Sequence, residues 1–435
     1  MNILNKKIAD LNYQDIASFC SEGYPEGIQL DYKKEPPKKG FAQHFAAFSN
    51  SRGGLIIVGV EENKDSGIPE KWEGILKDAK LIERIHQEAS NVDPFPTYEI
   101  CYTDEVRGKS FLLIRILEGM QTPYLVFNDP NFWMRTGNIK KAIDLANPKQ
   151  VELLFEKKTN AERLRSILLN QADEIFESAL IRAEKERLTQ ISEERRTYEQ
   201  EIQPAKAKGL IVEPFKSIAY PDKLGRNSSM CEIYLQPYSP DSSLMNPQGL
   251  LKEKHKILLR PAYEDIKTET TPYGIVQFLW SSYNGYIECH QIFSKGLVYY
   301  NSDVEETGSE KNKMIMISFV VGALHRIITA TKSFYEITKY QGSIVGGIAL
   351  KDVQGMRIRQ ITPNGYSWGR NHNYSCLLPE YHWGIEIDTS ILFDTEALKK
   401  WFYEKINEIY IFLGLPIPAS EVIDSFCKQE SMFVN

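Results

Sequence analysis

The sequence predicts a mixed α/β (α+β) N-terminal domain, a long helical connector and an α+β C-terminal domain. Three observations predict it. Strand-like and helix-like segments alternate up to about residue 146. No Gly or Pro interrupts the chain between Pro148 and Pro204. Beyond about residue 209, short strand-like runs follow one another, with two longer helical patterns among them. A chain of 435 residues has room for more than one core, and the expected divisions are 1–146, 147–208 and 209–435.

Asn12 is placed to cap a short helix that runs through Cys20, with Gly23 beyond its end. Gly27 to Lys33 reads as a strand. Phe41, Phe45 and Phe48, at spacings of four and three, mark a helix. Gly54 to Val60 is a near-continuous apolar run, the pattern of a strand buried on both faces. Leu81, Ile82, Ile85 and Ala89 form the inward stripe of a helix over Lys77 to Ala89. Tyr98 to Tyr102 and Ser110 to Leu117 flank a polar turn with Gly108, as in a hairpin, and a second hairpin is expected around Asn128 to Asn131. Asn147, Pro148 and Gln150 have the spacing of a capping box that opens the long helix. Its apolar seam (Leu164, Leu168, Ile175, Ala179, Leu188, Ile191, Tyr198) is too gapped for a strict coiled coil. A connector packed on its neighbours is favoured, and a homo-oligomer through 147–208 stays open. In the third region strands are expected at 230–237, 256–261, 274–280, 286–293, 297–300 and 381–388, helices at 313–331 and 395–412, and a hairpin joining 343–351 to 356–361.

Lys plus Arg number 52 against 58 Asp plus Glu, a net charge of -6. That excludes a globally basic nucleic-acid coat but not a local basic groove. The six cysteines, at 20, 101, 231, 289, 376 and 427, show no zinc-binding spacing and read as reduced thiols. The start lacks an apolar core of signal-peptide length, and Met314 to Leu324 is shorter than the roughly 20 residues a bilayer requires. The expectation is a cytoplasmic protein with no membrane partner.

Residues 26 to 62 carry the chemistry. Asp31 and Lys33, two apart on a strand, project from one face, while Leu30 and Tyr32 face the other way. Glu26 precedes that strand, and Glu61 and Glu62 follow the apolar one. If the two strands are neighbours, three carboxylates and a lysine converge at a sheet edge. Carboxylates that close repel one another unless one is protonated or a divalent cation sits between them. Mg²⁺ or Mn²⁺ suits such ligands, and Lys33 could then contact a scissile phosphate. From the residues alone, solvated carboxylates at strand ends are the commoner interpretation.

The pattern Glu26-x4-Asp31-x-Lys33, followed by Ala46-Ala-Phe-Ser-Asn-Ser-Arg-Gly53-Gly54-Leu-Ile-Ile-Val-Gly-Val60-Glu61-Glu62, resembles the signature of the Schlafen AlbA_2 domain family. Phe132-Trp-Met-Arg135-Thr-Gly137-Asn138 is similar to that family's closing strand, so the resemblance spans roughly residues 20 to 160. It implies a metal-dependent endoribonuclease cleaving tRNA or other structured RNA, plausible as an antiphage defence effector. Glu26, Asp31 and Glu62 would hold Mg²⁺ or Mn²⁺, and Lys33 would serve with them in catalysis. The second acid is one methylene shorter than in the family pattern and the third one longer. The alternative is a non-catalytic regulatory protein that binds nucleic acid or a nucleotide. Lys33, Lys34, Lys38 and Lys39, joined by Arg52, Arg135, Lys140 and Lys141, would form the nucleic-acid groove, or else a solvated turn around Pro36-Pro37. Gly53-Gly54 reads as a turn in preference to a phosphate nest, and no Walker A loop is present. His44 is expected to be partly exposed and inert. The run Trp368 to Tyr374 reads as a packed loop in preference to a ligand-binding one.

Overall fold

The computed structural model describes residues 3, 8–37, 40–135, 144–145, 147–219, 229–240, 243–258, 268–281, 286–306, 314–340, 342–361, 374–429 and 432–433. The first helix, α1 (Tyr13–Ser21), opens on a capping box between Asn12 and Asp15. Next come β1 (Leu30–Lys33), α2 (Phe41–Asn50) and β2 (Gly54–Val58). Gly59, at φ +106°, turns the chain from β2 into β3 (Val60–Glu62), which pairs with β4 (Pro69–Trp72). After α3 (Ala79–Ala89) come β5 (Val92–Asp93), β6 (Tyr98–Tyr102), β7 (Leu112–Ile116), β8 (Leu125–Val126), β9 (Trp133–Met134) and β10 (Asp144–Leu145).

The main N-terminal sheet has the order β1-β2-β7-β6, with β1 parallel to β2 and the other pairs antiparallel. Its period-two alternation divides the core in two. Ile56, Val58, Ile114 and Ile116 face the helices α2 and α3, whereas Leu30, Tyr32, Leu55 and Ile57 face α1. The hairpin expected around Asn128 to Asn131 does not form: β8 pairs with β5, and β9 with β10. Asp129 explains why, because its carboxylate accepts from Gln43, Asn131 and Trp133 and ties the segment back to α2.

The connector is one helix, α4 (Pro148–Ala207), opened by the Asn147–Gln150 capping box. It lies on one face of a seven-stranded sheet. Leu168 and Ala172 pack with Phe293, Leu297 and Tyr299, while Phe176 and Ala183 pack with Met230, Val276 and Cys289. Part of the predicted seam thus meets the sheet, while Leu188 is half exposed.

That sheet is built from β11 (Met230–Pro237), β12 (Thr268–Thr270), β13 (Gly274–Trp280), β14 (Ile287–Phe293), β15 (Val298–Asp303), β18 (Ser343–Lys351) and β20 (Tyr381–Asp388), in the order β12-β13-β14-β15-β11-β18-β20. Between them in the chain lie α5 (Pro247–Ile257), β16 (Glu305–Glu306), β17 (Met314–Met316), α6 (Ile317–Thr338) and β19 (Arg357–Arg359), and α7 (Thr389–Phe393), α8 (Thr395–Phe412) and α9 (Ser420–Gln429) end it. The large apolar core between the sheet and α6 and α8 draws Leu324, Ile327, Phe334, Phe402, Ile406 and Tyr410. Two expectations fail. Lys256 and Ile257, where a strand is expected to begin, instead end α5, which Asn246 caps and Leu250 and Ile257 anchor, a spacing of two helical turns; residues 259–261 of that expectation lie outside the described residues. The strand expected from Met356 does not pair with β18, whose edges are taken by β11 and β20; β19 runs parallel to β17 instead. Residues 368–373 of the expected loop lie outside the described residues. No helix is long and apolar enough to cross a membrane among the described residues.

Candidate functional site: a buried carboxylate beside a basic groove

The parallel pairing of β1 with β2 sets Asp31 opposite Ile56 and Lys33 opposite Val58, on the face covered by α2. Asp31 is therefore fully buried. Three side chains surround it: Lys33 Nζ at 2.8 Å, Arg135 NH1 at 3.2 Å and His44 Nδ1 at 3.5 Å. Lys33 above all, with Arg135, balances the carboxylate's charge. Burial alone would raise the Asp31 carboxyl; Lys33, His44 and Arg135 outweigh it and hold the group well below the usual carboxylate range.

Glu26 is the counterpart. Its N–H donates to Gly67 O at 2.9 Å, and its Oε1 accepts from the Tyr32 N–H at 2.7 Å, with Lys33 Nζ at 4.0 Å. Burial first, then the neighbouring charge of Asp31, pushes Glu26 up to about 8. Burial also pushes the His44 imidazole down to about 4, against the pull of Asp31. At neutral pH the cluster holds one anion, two neutral groups and two cations.

The motif glycines and polar residues assemble this cluster. Asn50, at the end of α2, donates to Tyr124 O and Trp133 O, both at 2.9 Å, and accepts from Tyr124 N at 2.7 Å. Ser51 Oγ accepts from Arg135 N at 2.7 Å. Arg135 is thereby threaded inward: its NH2 donates to Gly27 O and to Leu30 O, and its guanidinium lies 4.5 Å from the Phe48 ring. A Cβ at Gly53 would sit 2.7 Å from Glu118 N, and one at Gly54 2.5 Å from Gln29 O. The two glycines are thus required by close backbone approach, as the turn interpretation expects.

Two expectations are corrected. Arg135, expected on a nucleic-acid surface, is 5% exposed, because its guanidinium completes the charge balance of Asp31. His44 is buried, because it faces Asp31 across the α2–β1 contact. Of the three carboxylates, Asp31 is enclosed by Lys33 and Arg135, burial favours the protonated form of Glu26, and Glu62 pairs with no cation among the described residues. Among the described residues no group of three or more His, Cys, Asp or Glu could hold a metal ion. Arg52 is exposed. Lys38, Lys39, Lys140 and Lys141 lie outside the described residues.

Beyond the C-terminal ends of β1 and β2 opens a groove of about 970 Å³. Ligands favour this end of parallel strands. Gly59 and Gly74 close its floor; a Cβ on Gly59 would sit 2.6 Å from Gly74 Cα. Lys34, Lys71, Lys77, Lys80, Arg84 and Lys109 line it, against Glu35, Glu61, Glu73 and Asp78. Glu61 is held by Lys34 at 3.1 Å and Lys71 at 3.6 Å, Glu73 by Lys109 at 2.7 Å, and Asp78 caps α3. No carboxylate among the described residues pairs with Lys77, Lys80 or Arg84. Of this groove the sequence expectation held only Lys34. The missed signal is spacing: Lys77, Lys80 and Arg84 recur at three and four, beside the apolar stripe of α3.

Residues 26–144, roughly a quarter of the chain, match the family model described as Schlafen, AlbA_2. The family points to a nucleic-acid-related function. No curated protein matches the chain.

Proposed function

We propose that the N-terminal domain binds RNA, with the phosphodiester backbone lying in the groove between β1, β4 and α3. The observation that carries this is the groove's charge. Three of its six cations have no carboxylate partner among the described residues, and all six sit at the open end of a parallel strand pair. Such cations exchange condensed counterions for phosphate contacts, so affinity falls steeply with salt. Single-stranded or looped RNA fits better than a duplex, because splayed bases can reach groove walls that an A-form helix cannot enter. Lys33, one-fifth exposed and next to Lys34, links the groove to the Asp31 cluster.

The experiment is fluorescence anisotropy of labelled tRNA and a single-stranded RNA at several salt concentrations, for the wild type and a Lys77→Glu/Lys80→Glu/Arg84→Glu variant. The expected result is at least tenfold weaker binding by the variant and a salt dependence shallower by about two to three charges. Equal affinities sink the proposal.

A second reading, metal-dependent cleavage of tRNA by Glu26, Asp31, Lys33 and Glu62, is favoured by the divergent protonation of Glu26 and Asp31, a pattern seen in acid–base pairs. It requires Asp31 to shed its cations. Incubation of tRNA with the protein and Mn²⁺ tests it: loss of full-length tRNA with wild type but not Glu26→Gln supports cleavage, and intact tRNA in both rejects it.

A further inference from the structure

We propose that the groove between α4 and the edge strand β20 is a binding site for a small ligand carrying an ammonium or guanidinium group. The cross-strand register lays out its floor. Gln236, Val345 and Glu386 form one row across β11, β18 and β20, and Tyr234, Gly347 and Gly384 form the next. Two connected hollows, of about 750 and 490 Å³, open over these rows and share Ser166, Leu169, Tyr234, Gly346 and Gly384. That is the size of ordinary small-molecule sites.

Two independent observations point to an occupant. Gln236 lines the hollow and is 1% exposed, yet its Oε1 has no hydrogen-bond partner. A buried acceptor of this kind calls for a donor. Gly384 lies mid-strand, where glycine weakens pairing, and its backbone does not require it: φ is ordinary and a Cβ would meet nothing within 4 Å. What the missing side chain leaves is open space. The neighbouring Gly347 differs, since a Cβ there would sit 3.0 Å from the Tyr234 ring.

The two cations of the larger hollow are engaged within the protein, while two of its carboxylates are not. Arg165 donates to Tyr238 O and stacks 4.9 Å from the Tyr238 ring. Lys405 Nζ reaches both Glu408 oxygens, at 2.7 and 2.8 Å. The carboxylates of Glu162 and Glu386 line the same hollow with no cation paired to them among the described residues. Two unpaired carboxylates and the unpartnered Gln236 acceptor, beside cations that are already engaged, select a cationic donor over an anion.

The test is calorimetric titration of the RNA-free full chain with spermidine, with agmatine and with ATP. One equivalent of an amine is expected to bind the wild type in the micromolar range. Binding is expected at least tenfold weaker in Gly384→Val, which fills the trough, and in Glu162→Gln/Glu386→Gln, which removes the charge. Glu199→Gln/Glu201→Gln, on the far end of α4, controls for net charge and is expected to bind as wild type does. No amine binding, wild-type affinity in both groove variants, equal weakening in the control, or tighter binding of ATP than of either amine overturns the proposal.

Discussion

Arg135→Met tests the central electrostatic claim. The substitution keeps an unbranched chain over Phe48 but removes the guanidinium 3.2 Å from Asp31 and the donor to Gly27 O and Leu30 O. Breaking one side of a buried pair costs about 3–5 kcal/mol, because the remaining charge is uncompensated. Gly27 O, left without that donor, adds about 1–3 kcal/mol, whereas Leu30 O keeps the Gly27 N–H at 3.0 Å. Lys33 at 2.8 Å stays in place and absorbs part of the loss. The net expectation is about 4 kcal/mol. At roughly 2–4 °C per kcal/mol for a chain of this class, melting of the N-terminal domain falls by about 8–16 °C. Thermal unfolding at neutral pH, followed by tryptophan fluorescence, reads it, since Trp133 lies two residues away. Asp31→Asn in the Arg135→Met background should restore part of the loss, because the stranded charge is then gone. If Arg135→Met melts within 2 °C of wild type, or Asp31→Asn deepens the loss additively, Asp31 is not balanced by Arg135 and the account of the cluster is wrong.

Other outcomes follow from the same structure. Glu26 is raised from its ordinary 4.5 to about 8 in the fold, so its contribution is complete below pH 4.5 and is lost as pH rises through 8. Urea midpoints between pH 5 and 8 should fall, by at most about 1.4 kcal/mol per pH unit, and Glu26→Gln should flatten that slope. Lys157 of α4 pairs with the buried Glu118 at 2.6 Å and donates to Ser51 O at 3.0 Å; Lys157→Met should cost about 3 kcal/mol in a denaturant titration, and a loss below 0.5 would make the contact incidental. Asn147→Ala removes one half of the capping box and should cost about 1 kcal/mol, seen as faster amide exchange in the first turn of α4. Gly54→Ala drives a Cβ into Gln29 O and the Phe48 ring, so a soluble variant with wild-type melting would contradict the packing of the motif turn.

Local chemistry was legible in the sequence. Asn12, Asn147 and the apolar strands β2, β11, β13, β18 and β20 follow from capping and periodicity, which depend on residues a few positions apart. So did the Glu26–Asp31–Lys33 element, since alternation puts Asp31 and Lys33 on one face of a strand wherever that strand lies. Periodicity could not say what that face meets. Only the packing of α2 over β1, and the return of the chain to place Arg135 more than a hundred residues from Asp31, made Asp31 a buried anion matched by cations. The basic groove has the same origin, because its cations come from the residue after β1, from β4, from α3 and the segment before it, and from the β6–β7 turn. Charges far apart in the chain become neighbours only when a sheet joins their strands. The sequence therefore determined which groups are present, and the tertiary structure decided which of them are buried, paired or free.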